Sequence, residues 1–119
     1  MSANPIVHWE LIGADGNALK TFYSGLFDWT FSTPEGFDSY HFTEGDDMGV
    51  NGAVGQGRED MPDYQALYVR VADIVSKLGE VESLGGSTVM PRTEIPGVVT
   101  YALFRDPAGN LVGLVEGES

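Results

Sequence analysis

β-branched and aromatic side chains crowd the start of the chain, and Ile6-Val7-His8-Trp9-Glu10-Leu11-Ile12 predicts a strand. Asp15, between Gly13 and Gly16, is a good helix N-cap. Beyond it Leu19, Phe22, Tyr23, Leu26 and Phe27 recur at helical spacing, one apolar stripe on a helix from about Asn17 to Asp28. Trp29 to Ser32 reads as a strand, Thr33-Pro34-Glu35-Gly36 as a turn, Ser39 to Thr43 as a strand and Gly45-Asp46-Asp47 as a turn. Val50 to Val54 is a weak strand interrupted by glycine.

Gly55 to Asp63 carries Gly, Pro and charge without a period and reads as a linker. From Gln65 to Val71 the alternation returns, with Leu67, Val69 and Val71 on one face and Ala66, Tyr68 and Arg70 on the other. Asp73 caps a second helix with Ile74, Leu78 and Val81 on one side, and Gly85-Gly86 ends it. Ser87 to Met90 is a strand, Pro91 to Gly97 a loop, Val98 to Phe104 a strand, Asp106-Pro107-Ala108-Gly109-Asn110 a tight turn and Leu111 to Glu116 the last strand. Both halves thus run strand, Asp-capped helix, three strands: an internal repeat within one domain over 1–119. Module one covers about 5–55, the linker about 56–64 and module two about 65–117.

Composition narrows the function. Six Lys and Arg against eighteen Asp and Glu leave a formal charge of −12. That balance predicts neither a nucleic-acid nor an anionic-membrane partner, both of which need basic patches. The chain has no cysteine, which removes disulfides, thiolate metal sites and Cys nucleophiles. Met1 to Pro5 lacks the basic patch and apolar run of a secretory signal, and a cytoplasmic protein is the expectation. Neither Gly13-Ala14-Asp15-Gly16 nor Gly52-Ala53-Val54-Gly55 has the spacing of a phosphate loop, and no Gly-x-Ser-x-Gly elbow occurs.

Three segments carry a resemblance: Val7-His8-Trp9-Glu10-Leu11, Phe22-Tyr23-Ser24-Gly25-Leu26-Phe27-Asp28-Trp29, and Phe104-Arg105-Asp106-Pro107-Ala108-Gly109-Asn110-Leu111-Val112. In this order and distance they resemble the vicinal oxygen chelate superfamily, which groups glyoxalases, bleomycin-resistance proteins and extradiol dioxygenases. The resemblance implies an α+β fold of two βαβββ modules, forming a curved mixed sheet around a cup. It also implies a homodimer, a tendency that the exposed edges of an open sheet reinforce.

Enzymes of this superfamily hold a divalent metal with His, Gln or Glu from the first and last strand of each module. Carried onto this chain, the resemblance offers His8, a competent ligand, but Ala66 at the matching position of the second module. It offers Gly113 where Glu would stand on the last strand, and only Asn51 on the matching strand of the first half. One strong ligand in four positions is too few for a stable catalytic site, so no metal cofactor is expected.

Alternation places His8, Glu10 and Ile12 on the cup face and Val7, Trp9 and Leu11 on the helix face. Tyr68 and Arg70 project toward the same cup. Leu111 and Val115 form an apolar wall, and Gly113 makes room between them. Arg70 would recognise a carboxylate or phosphate, or else pair with Glu10. His41 reads as structural or exposed, and Phe22-Tyr23 as helix packing against the sheet. The reading that follows is a metal-independent binder of a small apolar or aromatic molecule, of a sequestering or resistance type. Its alternatives are a metal-dependent lyase, isomerase or dioxygenase, and a metal-free enzyme using His8 and Glu10 as acid and base.

Overall fold

A computed structural model describes residues 3–117. Met1 and Ser2, part of the segment read as lacking a secretory signal, lie outside the described residues, as do Glu118 and Ser119. The elements follow in the order β1 (Ile6–Gly13), α1 (Gly16–Phe27), β2 (Thr30–Ser32), β3 (Tyr40–Glu44), β4 (Ala53–Gln56), β5 (Tyr64–Val71), α2 (Ile74–Ser83), β6 (Ser87–Ile95), β7 (Val99–Arg105) and β8 (Leu111–Glu116). The chain is α+β, with a βαβββ order that occurs twice. Residues 8–65 form one compact unit, and 3–7 with 66–117 form the other. Among the described residues no helix is long and apolar enough to cross a membrane.

In the first unit the strands lie in the order β2-β3-β4-β1, with β1 parallel to β4 and the other neighbours antiparallel. Asp15 caps α1, accepting from the Ala18 N–H at 3.0 Å. The helix starts so close to the sheet that Gly16 has no space for a side chain between Ser39 and Gln56. The predicted apolar stripe is wider than the sheet can cover. Leu19 and Tyr23 turn inward and are half-buried, whereas Phe22 and Leu26 are each 57% exposed and Phe27 is 53% exposed. Phe22 is therefore largely exposed, against the expected packing on the sheet, and its ring stands edge-on to that of Tyr23. On the helix side of the sheet, Trp9 and Trp29 form a cluster with Tyr23 and Phe27.

The strand expected from Val50 starts only at Ala53. The backbone before it is engaged otherwise: the Val50 carbonyl accepts from the Trp9 indole, and the Gly52 N–H donates to the Thr43 hydroxyl.

The second unit has the order β5-β8-β7-β6, with β5 parallel to β8. Val71, Ile74, Leu78, Ala102 and Leu114 form its buried core between α2 and the sheet, with Val69 and Phe104 packed against it. Asp73 caps α2 through the Ser76 N–H. A second carboxylate arrives from β8: Glu116 accepts from the Ile74 N–H at 3.0 Å and holds Arg92 of β6 through both Nε and Nη2. Negative charge at a helix N-terminus is stabilising. The expected loop from Pro91 is instead the continuation of β6 to Ile95. β6 is the end strand of its order, and its pairing with β7 shifts register between Met90 and Thr93. An edge strand with an irregularity is where the missing proline N–H costs nothing.

The Asp106–Asn110 turn joins β7 to β8 as expected. The Asp106 carboxylate accepts from the Ala108 and Asn110 N–H groups and from the Asn110 side chain, and Gly109 supplies the positive φ of +93°. These bonds hold the Asp106 carboxyl below its ordinary range, the Asn110 side chain contributing most.

Candidate functional site

β1 aims His8, Glu10 and Ile12 at the face of the first sheet opposite α1, and β3 adds Tyr40 and Phe42 to the same face. Register explains how they meet. Glu10 lies level with Ala53 and Phe42, and Ile12 with Gly55 and Tyr40. β4 stands between, and Gly55 has no side chain to obstruct: a Cβ there would come 2.6 Å from the Tyr40 ring. The ring therefore lies across β4 and brings its hydroxyl to β1.

Tyr40 Oη donates to Glu10 Oε2 at 2.5 Å and lies 2.9 Å from His8 Nε2. A phenol carries one proton, and here the carboxylate takes it. His8 must then donate from Nε2, which fixes the neutral ring as the Nε2–H tautomer. Burial of His8 lowers its pKa from the ordinary 6.5, against the weaker opposing pull of Glu10, so the ring is neutral at pH 7. Glu10 is buried, 7% exposed. An aromatic shell surrounds the three groups. Phe42 stands edge-on to Tyr40 with centroids 5.0 Å apart and lies 6.0 Å from His8, and Phe37 lies 6.0 Å from both Tyr40 and Phe42. Phe37 is delivered by a turn closed by its N–H on the Pro34 carbonyl, with Gly36 at φ +89°. The arrangement is a carboxylate, a phenol and a neutral imidazole in one hydrogen-bonded chain beside apolar rings.

Of the predicted site residues, the structure brings His8 and Glu10 together through a residue the sequence reading left out. The signal for Tyr40 was the glycine of β4, which marks a close approach, read together with an aromatic residue on the neighbouring strand. Ile12 is buried on the same strand. In the second unit, Tyr68 and Arg70 of β5 lie level with Gly113 and Val115 of β8, and Leu111 is half-buried near the start of that strand. Gly113 does not leave an opening, as expected from its missing side chain, because the Tyr68 ring lies where a Cβ would stand. Arg70 is half-buried, its Nε is buried with no hydrogen-bond partner, and among the described residues it forms no ion pair.

The metal positions carried over from the resemblance have other occupations. His8 Nε2 bonds to Tyr40. Ala66 is buried. Asn51 accepts from the Thr43 hydroxyl at 2.8 Å and donates to the Gly45 carbonyl at 3.0 Å, which holds the segment between β3 and β4. Among the described residues, no three His, Cys, Asp or Glu side chains are grouped to hold a metal ion. His41 is structural: buried at 3% exposure, it donates from Nε2 to Asn17 and accepts at Nδ1 from the Thr33 hydroxyl. Burial, and then Lys20, lower its pKa.

Comparison with known proteins agrees with this architecture. A family model described as Glyoxalase/Bleomycin resistance protein/Dioxygenase superfamily matches residues 5–114. The curated relatives named "Putative glyoxylase CFP32", from Mycobacterium bovis and Mycobacterium tuberculosis, are 29% identical over 111 residues, covering 88% of this chain and 42% of theirs. The chain thus spans less than half the length of those relatives. Among solved structures, the hypothetical protein BH1468 from Bacillus halodurans superposes with a TM-score of 0.73 at 13% identity, over 99% of this chain and 97% of the other. Methylmalonyl-CoA epimerase from Mycobacterium tuberculosis gives 0.68 at 14% identity, over 100% and 93%. At these identities the structures speak for the fold alone. With the family description matched across both βαβββ modules, the chain belongs to the glyoxalase/bleomycin resistance protein/dioxygenase superfamily.

Proposed function

We propose that this chain binds a small, largely apolar or aromatic molecule and does so without a resident catalytic metal. The observation that carries the reading is the phenol shared by His8 and Glu10: Tyr40 engages the Nε2 of one and a carboxylate oxygen of the other. Phe37 and Phe42 supply an apolar wall beside three polar groups, the usual make-up of a small-molecule site. The occupations of Ala66, Asn51 and Gly113 support metal independence. Sequestration or resistance is the corresponding role, in the cytoplasm. A homodimer belongs to the same reading, because a second copy would cover the exposed Phe22 and Leu26 of α1.

A second reading is favoured by the same hydrogen-bonded chain. A neutral His8 beside a Tyr40–Glu10 pair could move a proton to or from a bound carbonyl compound without metal. Elemental analysis of dialysed protein and thermal-shift screening with aromatic compounds test the first reading. It expects well under one equivalent of zinc, nickel, iron or manganese, and stabilisation by ligands that His8→Ala weakens. Stoichiometric metal lost in His8→Ala would restore the metal-dependent lyase, isomerase or dioxygenase. Turnover of a bound compound, abolished by His8→Ala or Glu10→Ala, would favour the metal-free enzyme.

A further inference from the structure

We propose that Arg70 is the anchor for a carboxylate, so that the open face of the second sheet takes a monoanionic organic acid with an apolar body. This goes beyond the small-molecule reading above and concerns the second unit by itself.

Val69 and Val71 of β5 turn to the core beneath α2, so Tyr68 and Arg70 project from the opposite face of the second sheet. Pairing through β8 and β7 sets Arg70, Val115 and Tyr101 in one row across that face, and Tyr68, Gly113 and Leu103 in the next. Every side chain in these two rows other than Arg70 is apolar or aromatic. The Arg70 stem lies down over the end of β8, where a Cβ on Gly117 would come 3.2 Å from its Cδ. Bare glycine there gives the stem its course.

A guanidinium held in this way should have acceptors for its donors. Arg58, Lys77 and Arg92 each have a carboxylate, and Arg105 donates to the Gly109 carbonyl. Arg70 has no carboxylate among the described residues and keeps Nε buried without an acceptor, in a chain with three times as many acids as bases. Such a group is costly unless an acceptor arrives from outside. The planar fork of arginine matches the two oxygens of a carboxylate. One positive charge balances one negative charge. A phosphate dianion would bring a surplus negative charge to a chain already at −12, so the carboxylate is favoured.

The test uses the full chain with benzoate, its neutral counterpart benzamide, and phenyl phosphate. Binding is followed by titration calorimetry and by the Arg70 Nε–H resonance. The expected result is benzoate binding at least tenfold tighter than benzamide, a shift of the Arg70 signal with benzoate alone, and weakening by added salt. Arg70→Gln should abolish the preference for benzoate over benzamide, and Arg70→Lys should retain part of it. The resonance in the unaltered protein keeps the test decisive if Arg70→Gln fails to fold. Equal affinity for benzoate and benzamide would overturn the carboxylate anchor and leave the small-molecule reading standing. A tenfold preference for phenyl phosphate would overturn it in favour of a phosphate. If none of the three binds, and larger aromatic acids and their amides also fail, both readings fall together.

Discussion

The hydroxyl of Tyr40 gives its only proton to the Glu10 carboxylate, 2.5 Å away, and by doing so makes the neighbouring His8 a donor. Two residues that β1 presents side by side are thereby joined through a third strand. The relationship depends on Gly55, since any side chain on β4 at that level would stand in the path of the ring. Removing the hydroxyl tests it directly. Tyr40→Phe keeps the ring packing with Phe37 and Phe42 but withdraws a donor from a buried carboxylate. The expected cost is about 1–3 kcal/mol in urea unfolding. A loss of ligand-induced stabilisation should accompany it. An unchanged midpoint and unchanged ligand response would show that the bond is of no consequence.

Tyr68 and Gly113 make a second such pair. The ring occupies the place of a β8 side chain, so Gly113→Ala should overpack the sheet and destabilise by about 1–3 kcal/mol. Tyr68→Ala opens that place. Adding Gly113→Ala to Tyr68→Ala should therefore cost much less than adding it to the unaltered protein. A double-mutant cycle with purely additive effects would argue that the ring moves away without cost.

How far the sequence reached depends on the range of the interaction. Asp15 and Asp73 are local signals, each bonding an N–H three residues ahead, and both helix starts were legible from them. Asp106 is similar, with acceptor bonds spent within its own turn. Pro91 was misleading because proline breaks an interior strand but not an edge strand with shifted register, and edge position is not written locally. The α1 stripe showed which residues are apolar but not how much of it the sheet would cover, so Phe22 and Leu26 came out exposed. The candidate site was half legible. Alternation paired His8 with Glu10, while Tyr40 joins them across thirty positions through the register of β3, β4 and β1, which no periodicity reveals.

The two histidines should separate cleanly under mutation. His41 is buried with both ring nitrogens bonded, to Asn17 and Thr33, and α1 depends on it for a tie to β3. His41→Ala should cost about 2–3 kcal/mol and leave any ligand response of the surviving folded protein intact. His8→Ala should cost less stability and remove the ligand response. The reverse pattern, a silent His41 and a fold-breaking His8, would exchange the roles assigned to them.

Stability should fall in two steps as the pH is lowered. Burial lowers the pKa of both His8 and His41 below 6.5 in the folded chain. Above pH 6.5 neither state holds these protons, and the contribution of the two rings is complete. Below it the unfolded chain takes up protons that the folded chain resists, so stability declines until the folded-state values are reached. Glu116 and Asp106 act lower. Hydrogen bonds from Arg92, and then from the Ile74 N–H, hold Glu116 below its ordinary 4.5, as those of Asn110 hold Asp106 below 3.8. Their contribution is present above those values and is lost as the pH falls through the lowered ones. Urea unfolding from pH 8 to pH 3 should show a first decline beginning near pH 6.5, reduced in His8→Gln and His41→Gln. A second decline should begin below about pH 4.5, and Arg92→Gln should diminish it by releasing Glu116 toward its ordinary value. A profile that stays level through pH 6 in the unaltered protein would mean that the folded chain protonates its histidines as readily as the unfolded one, against the burial seen for both rings.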